Sequence, residues 1–132
     1  MTLTPEFMLL GLVLILALVQ IMATAMVSTS RLGLKWNAGP RDGTPGETGV
    51  LAGRLARAQG NLLETLPIFA AAVIMAQVSG ENGFLTSVGA HLYFFGRLIY
   101  APVYAMGIPY LRTLIWLVSF VGLCMVIAAL FV

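Results

Sequence analysis

The segment Arg54–Pro67, with the sequence R-L-A-R-A-Q-G-N-L-L-E-T-L-P, places charged and amide side chains directly before a long apolar run. In a helix, Arg57, Asn61 and Glu64 stand at positions i, i+4 and i+7 and therefore share one face. Residues 68–76, I-F-A-A-A-V-I-M-A, are apolar enough for a bilayer. Ionisable groups in such a helix cost about 2.5–3.5 kcal/mol each on insertion scales, so they need polar partners. The segment therefore predicts a membrane helix whose polar face meets other polar groups.

The composition of the chain is that of an integral membrane protein. Of its 132 residues, 60% are hydrophobic and only 9% are charged, which excludes an ordinary soluble domain. The net charge of +2 is spread along the chain without a basic run, so nucleic acid is not an expected partner. Cys124 is the single cysteine, and its apolar sequence neighbours predict that it acts as a small buried or lipid-facing hydrophobic residue. No metal site is expected, because His91 has no acidic or cysteine partner at ligand spacing.

Apolar runs separated by turn residues predict an all-α membrane protein, a four-transmembrane-helix bundle that forms a single domain over residues 1–132. The helices are predicted at about 5–28, 50–79, 84–106 and 110–132. Between the first two, a polar loop over residues 28–49 is predicted by the turn residues Gly33, Gly39-Pro40, Asp42-Gly43 and Pro45-Gly46. A cleaved signal sequence is the alternative for the first segment, because Ala23-Thr24-Ala25 resembles a cleavage site. The lack of a basic start and the length of the apolar run favour the membrane helix.

The charges of the connections predict how the helices are oriented. The first connection carries Arg31, Lys35 and Arg41, whereas the second carries only Glu81, and Arg112 follows the third. Connections rich in Lys and Arg stay in the cytoplasm. The first and third connections are therefore predicted to be cytoplasmic, with both termini on the opposite side.

This topology brings polar residues of different helices into one leaflet. Arg97, Tyr100 and Tyr104 stand at i, i+3 and i+7 in the cytoplasmic half of the third predicted helix and share a face. Arg31, at the end of the first helix, and Arg112, at the start of the fourth, lie at the same depth. Guanidinium groups suit carboxylates, and a carboxylate such as that of Glu64 holds an ammonium group. The cluster thus predicts a site for a small zwitterionic or multiply carboxylated ligand.

Structural interpretations remain open for the same residues. Glu64 and Arg97 can neutralise each other inside the bundle, as charges in membranes commonly do. The arginines near helix ends can be interfacial anchors that extend to lipid head groups, and Arg54 is predicted to be one. Tyr100 and Tyr104 can belong to an interfacial belt of aromatic residues, which is the interpretation for Trp116.

The motif R-A-Q-x-N-x-x-E-x-x-P in Arg57–Pro67 resembles the signature of the MAPEG family, the membrane-associated proteins in eicosanoid and glutathione metabolism. The motif R-x-x-Y-x-x-x-Y, formed by Arg97, Tyr100 and Tyr104, is similar to that family's third helix. The number of predicted helices, the polar first connection and the length agree as well, so the resemblance covers essentially the whole chain. Gly60 stands where some members carry a larger or basic residue.

The resemblance implies a homotrimer of four-helix subunits, with glutathione bound as co-substrate between neighbouring subunits near the cytoplasmic face. By position, it assigns seven residues to glutathione binding: Arg31, Arg57, Asn61, Glu64, Arg97, Tyr100 and Tyr104. Arg112 matches the arginine that stabilises the glutathione thiolate in catalytic members. The likeness to bacterial members implies a multi-pass protein of the bacterial inner membrane.

The sequence therefore predicts a membrane glutathione transferase that joins the thiolate to a small apolar electrophile from the bilayer, with membrane lipid as its surroundings. Peroxidase activity toward lipid hydroperoxides is a further expected activity. The first alternative is a non-catalytic lipid- or thiol-binding member, against which Arg112 argues, because a pure binder needs no thiolate stabiliser. The more remote alternative is a small four-helix exporter. Such exporters carry their carboxylate in the first helix, where Gln20 is the only strongly polar interior residue.

Overall fold

The computed structural model describes residues 2–43 and 46–132, and in these residues helices joined by short connections are the only regular structure. The helices are α1 (Pro5–Leu32), α2 (Leu34–Ala38), α3 (Gly49–Ser79), α4 (Phe84–Met106) and α5 (Pro109–Ala129). The all-α class agrees with the prediction. The four long helices α1, α3, α4 and α5 occupy the four predicted segments, although α5 begins one residue earlier and ends three residues before the chain does.

The first connection differs from the polar loop predicted for it. The helix α1 continues to Leu32 instead of ending near residue 28, because no helix breaker precedes Gly33, which has a φ of 91°. After Gly33, the next predicted turn residue is Gly39, so the L-K-W-N-A between them is free to form the short helix α2. Pro45, which belongs to the same predicted loop, lies outside the described residues, as do Met1 and Thr44.

Two glycine-containing turns join the last three helices. Gly80 ends α3 and Gly107 ends α4, both in the left-handed conformation (φ 78° and 75°) that glycine adopts without strain. Pro109 is the first residue of α5, where its missing N–H costs nothing. Because only Gly107 and Ile108 separate α4 from α5, the start of α5 lies beside the end of α4.

The helices α4 and α5 approach each other closely because small residues face one another at their contact. A Cβ atom added to Gly122 would lie 2.5 Å from the carbonyl oxygen of Gly89, and one added to Gly96 would lie 2.9 Å from the Cβ of Ser119. Membrane helices pack through small residues in this way, because the lipid tails offer no hydrophobic driving force between helices. The small residues thus fix the distance between the two helices that follow the Gly107 turn.

The core lies between α1, α3 and α4. Val13 from α1, Phe69 from α3 and Tyr93 from α4 are almost completely buried in one apolar cluster. The rings of Phe69 and Tyr93 stack with a centroid distance of 4.1 Å, and the hydroxyl groups of Tyr93 and Thr65 share a hydrogen bond of 2.7 Å. This core holds α3 in register against α4, which places the polar faces of the two helices side by side.

Three helices, α1, α3 and α5, are long and apolar enough to cross a membrane. Large apolar side chains such as Leu18 and Leu114 remain exposed on these helices, as expected for surfaces in contact with lipid. The chain is therefore an integral membrane protein. The helix α4 carries polar and small residues along the faces that it packs against α1, α3 and α5.

Polar contacts also hold together the end of the bundle where α1 begins and where α3 is followed by α4. The buried carboxylate of Glu6 accepts a hydrogen bond of 2.7 Å from Thr86, and Thr4 donates one of 2.8 Å to Gln77. These bonds tie the start of α1 to the end of α3 and the start of α4. The buried carboxylate of Glu6 thus has a structural partner far from the polar cluster of Arg57, Asn61 and Glu64.

Candidate functional site

A polar groove of about 520 Å³ opens between α3, α4 and α5. Side chains from all three helices form its walls: Arg57, Gly60, Asn61, Glu64, Tyr100, Tyr104, Arg112, Thr113 and Trp116. Six of the eight residues predicted for the site therefore meet in one groove. The helical spacing of the two sequence motifs accounts for this, since each motif lines one face of its helix.

Asn61 is held by two donors on different helices. Its Oδ1 accepts a hydrogen bond of 2.8 Å from Nη1 of Arg97 on α4 and one of 3.0 Å from Nε1 of Trp116 on α5. Because both donors use the oxygen, the Nδ2 group is the part of the amide that remains for a ligand. The amide of Asn61 is thus oriented as a donor at the centre of the groove.

Arg97 lies behind the groove wall rather than on it. Its side chain is only 1% exposed, and its guanidinium stacks over the ring of Tyr100 at 4.3 Å. The structural alternative, in which Arg97 pairs with Glu64, is not formed: Nη1 bonds to Asn61, while Nε and Nη2 have no partner among the described residues. The sequence places Arg97 at the right depth. In the packed structure, however, the Arg97 guanidinium contacts Tyr100 and Asn61 and does not line the groove.

Tyr104 joins the two arginines of the groove. Its hydroxyl oxygen accepts a hydrogen bond of 3.0 Å from Nε of Arg57, and its ring lies 4.7 Å from Cζ of Arg112. The ring of Tyr100 packs edge-on against that of Tyr104, with 5.7 Å between the centroids. The short turn after α4 is what brings Arg112 over Tyr104, so both guanidinium groups face the same space.

Glu64 supplies the negative charge of the groove. It is exposed and is the acidic residue among the lining side chains, which also include the two cations Arg57 and Arg112. Two guanidinium groups, one carboxylate and an amide donor are the groups that suit a ligand carrying both carboxylates and an ammonium group. An anion such as a thiolate is also stabilised beside a guanidinium.

Arg31 is the predicted site residue that lies apart from the groove. It stands in the last turn of α1, and its guanidinium packs beside Gly49 at the start of α3, with Cζ 3.8 Å from where a Cβ of Gly49 would lie. Arg31 therefore lies near the beginning of α3, about four turns before Glu64.

Trp116 is the groove residue that the sequence did not identify, since it was interpreted as an interfacial aromatic. It lines the groove, donates to Asn61 and stacks on Phe120 with centroids 5.1 Å apart. One signal was available, because Trp116 stands four residues after Arg112 and so shares its helix face. Gly60 and Thr113 complete the lining. Among the described residues, no group of three or more His, Cys, Asp or Glu side chains could hold a metal ion.

Comparison with models of protein families matches residues 9–132 to the MAPEG family. The match covers nearly the whole chain and every residue of the groove. No curated protein and no solved structure matches the chain at a significant level. The family match confirms the resemblance carried by the motifs of α3 and α4.

Proposed function

Since the chain belongs to the MAPEG family, we propose that it is an integral membrane glutathione transferase that joins the glutathione thiolate to an apolar electrophile arriving from the bilayer. The observation that supports the proposal most is the charge pattern of the groove. Glutathione has two carboxylates, one ammonium group and one thiol, and the groove offers Arg57, Arg112 and Glu64 within one space.

In the proposed complex, each side chain has a defined task. Arg57 binds a carboxylate, and Glu64 binds the ammonium group of the glutamyl residue. Asn61 donates its Nδ2–H to a carbonyl or carboxylate oxygen, since its Oδ1 is already used. Tyr104 keeps Arg57 and Arg112 in place through a hydrogen bond and a stacking contact.

Arg112 performs the chemical task in this proposal. Free thiols titrate near ~8.5, and a guanidinium beside the sulfur favours the anion, which is the nucleophile. The thiol proton leaves to solvent, and the thiolate then forms a sulfur–carbon bond with the electrophile while the leaving group departs with its electron pair. In the proposed peroxidase reaction, the same thiolate attacks the terminal peroxide oxygen of a lipid hydroperoxide, so that a sulfur–oxygen bond forms while the oxygen–oxygen bond breaks. The lipid departs as an alkoxide that takes a proton from solvent, and a second glutathione converts the glutathione sulfenic acid to glutathione disulfide and water.

The proposed assembly is a homotrimer of subunits with four membrane spans. Three of these spans are α1, α3 and α5, and α4 is proposed as the additional one. The groove is open along one side, and a neighbouring subunit would close it. The position of Arg31 supports this arrangement, because Arg31 lies apart from the groove of its own subunit and would reach the groove of a neighbour. In the proposed bacterial inner membrane, the α4–α5 turn and the connection between α1 and α3 face the cytoplasm.

The test measures, by absorbance, the rate at which an aryl chloride is conjugated to glutathione in detergent micelles. The wild type should turn over, and Arg112→Ala should lower kcat by about 10²-fold while glutathione binding, measured by calorimetry, changes little. Leu114→Ala, at an exposed apolar side chain outside the groove, is the matched control on the same helix.

The result also separates the catalytic proposal from the non-catalytic alternative. Glutathione binding without any turnover by the wild type, across aryl chlorides and lipid hydroperoxides, would favour a thiol-binding member of the family. Absence of glutathione binding would refute both the transferase and the thiol-binding interpretation, and would leave the lipid-binding member as the interpretation of the groove.

A further inference from the structure

A second cavity, of about 320 Å³, lies beside the polar groove at the turn between α4 and α5. Three arginines line it: Arg54, Arg57 and Arg112. We name it the arginine basin. Among the described residues, no acidic side chain lines the basin, which distinguishes it from the polar groove with its Glu64.

Arg54 is fixed in the basin without losing its charge. Its Nη1 donates a hydrogen bond of 3.3 Å to the carbonyl oxygen of Ala105. Its guanidinium also fills the space beside Gly107, where an added Cβ would lie 2.6 Å from Cζ of Arg54. The sequence predicts that Arg54 is an anchor that extends to the membrane surface. In the structure, the Arg54 side chain instead packs from α3 onto the turn between α4 and α5. A neutral carbonyl partner leaves the positive charge of Arg54 available to a ligand.

The other two arginines are also held by uncharged partners. Arg57 donates to the hydroxyl oxygen of Tyr104, and Arg112 stacks on the ring of the same tyrosine. Three guanidinium groups thus converge on one turn, held by a carbonyl, a hydroxyl and an aromatic ring. Guanidinium groups match the oxygens of phosphate in geometry and charge, so this arrangement suits a phosphate group with several oxygens to share.

The surroundings of the basin are apolar and open. Tyr110 is 89% exposed next to the turn, and Met106 and Leu111 are also exposed. The basin lies where α4 ends and α5 begins, at the end of an apolar helix long enough to cross the membrane. Basic pockets at this level of a membrane protein bind lipid head groups, and flanking apolar side chains contact the acyl chains.

From these observations we infer that the arginine basin binds the phosphate of an anionic membrane phospholipid, whose acyl chains lie against the exposed apolar side chains at the start of α5. The zwitterionic head group of phosphatidylcholine fits less well, because its ammonium group would meet three cations. The site adjoins the polar groove and shares Arg57 and Arg112 with it, so bound lipid would help to hold both arginines in place.

The experiment measures the unfolding temperature of the full chain in dodecyl maltoside micelles with added phosphatidylglycerol, phosphatidylcholine or inorganic phosphate. Phosphatidylglycerol should raise the unfolding temperature of the wild type by about 3–6 °C, and phosphatidylcholine should raise it much less. Arg54→Gln retains a donor for the carbonyl of Ala105 but removes the charge, and it should lose most of this effect. Arg41→Gln, which removes an arginine from the first connection, is the control and should respond as the wild type does.

Each other outcome counts against the inference. Equal stabilisation by both phospholipids, or an unchanged response of Arg54→Gln, would show that the basin does not select an anionic lipid. An equal effect of inorganic phosphate at the same concentration would show that the acyl chains contribute nothing, and would replace the lipid by a free phosphate.

Glutathione affinity in phosphatidylcholine nanodiscs separates this inference from the proposed function. A severalfold weaker affinity for Arg54→Gln there would mean that a glutathione carboxylate occupies the basin, and would overturn the lipid assignment. Conversely, a wild type without transferase activity would refute the proposed function, whereas the lipid-dependent unfolding temperatures would still test the basin.

Discussion

Nη1 of Arg97 donates a hydrogen bond of 2.8 Å to Oδ1 of Asn61, which joins a buried guanidinium on α4 to an amide on the α3 wall of the groove. A cation buried in a helical bundle is costly, and this one is stabilised by Asn61 on one side and the ring of Tyr100 on the other. Because the bond fixes the direction of the amide, Arg97 would act on the proposed glutathione through Asn61. We therefore treat Arg97 as a positioning residue.

The first prediction concerns this positioning role. Arg97→Met retains much of the side-chain volume but removes the donor, so we expect glutathione binding to weaken about tenfold, as loss of roughly 1.5 kcal/mol would produce. Calorimetry in detergent micelles measures the affinity. The control is the same substitution in an Asn61→Ala background, where it should cost less than about twofold, because the amide that Arg97 orients is gone. Additive losses would instead show that Arg97 contacts glutathione directly.

The second prediction concerns the carboxylate of Glu64. If Glu64 binds the ammonium group of glutathione, Glu64→Gln should weaken glutathione binding by about ten- to a hundredfold, as expected for a charge-assisted hydrogen bond. An analogue of glutathione without the amino group should bind to wild type and Glu64→Gln with nearly equal affinity. Glu81→Gln, in the turn between α3 and α4, is the matched control. The assignment fails if the substitution weakens the analogue as much as glutathione.

The third prediction follows from the charge of Arg112. A guanidinium beside the sulfur lowers the pKa of bound glutathione below the ~8.5 of a free thiol, so the wild type should retain thiolate, and activity, at lower pH than Arg112→Ala. Stabilising the thiolate lowers the thiol pKa, so removing the guanidinium should raise it. The midpoint of the pH–kcat profile should therefore shift upward in Arg112→Ala. Arg112→Lys should lie between the two, because it keeps the charge but loses the planar fork. Superimposable profiles for wild type and Arg112→Ala would assign the thiolate to another residue.

Much of this arrangement follows from the sequence, because helical spacing and loop charge are local properties. The positions i, i+4 and i+7 of Arg57, Asn61 and Glu64 determine that they share a face, and the antiparallel order of the helices determines that Tyr100 and Tyr104 lie at the same depth. The family motifs then connect the same residues to glutathione. Placing the residues on one face and at one depth requires only the periodicity of a helix and the length of a membrane span, whereas the link to glutathione rests on the family resemblance.

The contacts that depend on how the helices pack could not be predicted from helical spacing and loop charge. Whether Arg97 turns toward Glu64 or toward Asn61 is decided by the rotation of α4 against α3, which the Phe69–Tyr93 stack fixes. Trp116 enters the groove because α5 lies unusually close to α4, and that closeness depends on single glycines. Helix α2 was missed for a different reason, since five residues are too few to show a helical period.

The last prediction tests whether the contact between α4 and α5 sets the geometry of the groove. A methyl group on Gly122 would lie 2.5 Å from the carbonyl oxygen of Gly89 and 2.7 Å from the backbone nitrogen of Tyr93, so the helices must separate. We expect Gly122→Ala to destabilise the fold by about 1–3 kcal/mol and to weaken glutathione binding, because Arg112 on α5 moves away from Tyr104 on α4. Thermal unfolding and calorimetry measure the two effects. Gly11→Ala, at a helical glycine with no neighbouring atom within 4 Å of the added methyl, should leave the affinity unchanged and should not lower the stability. If Gly122→Ala lowers stability without any change in affinity, the glycine contact holds the bundle together but does not position the groove.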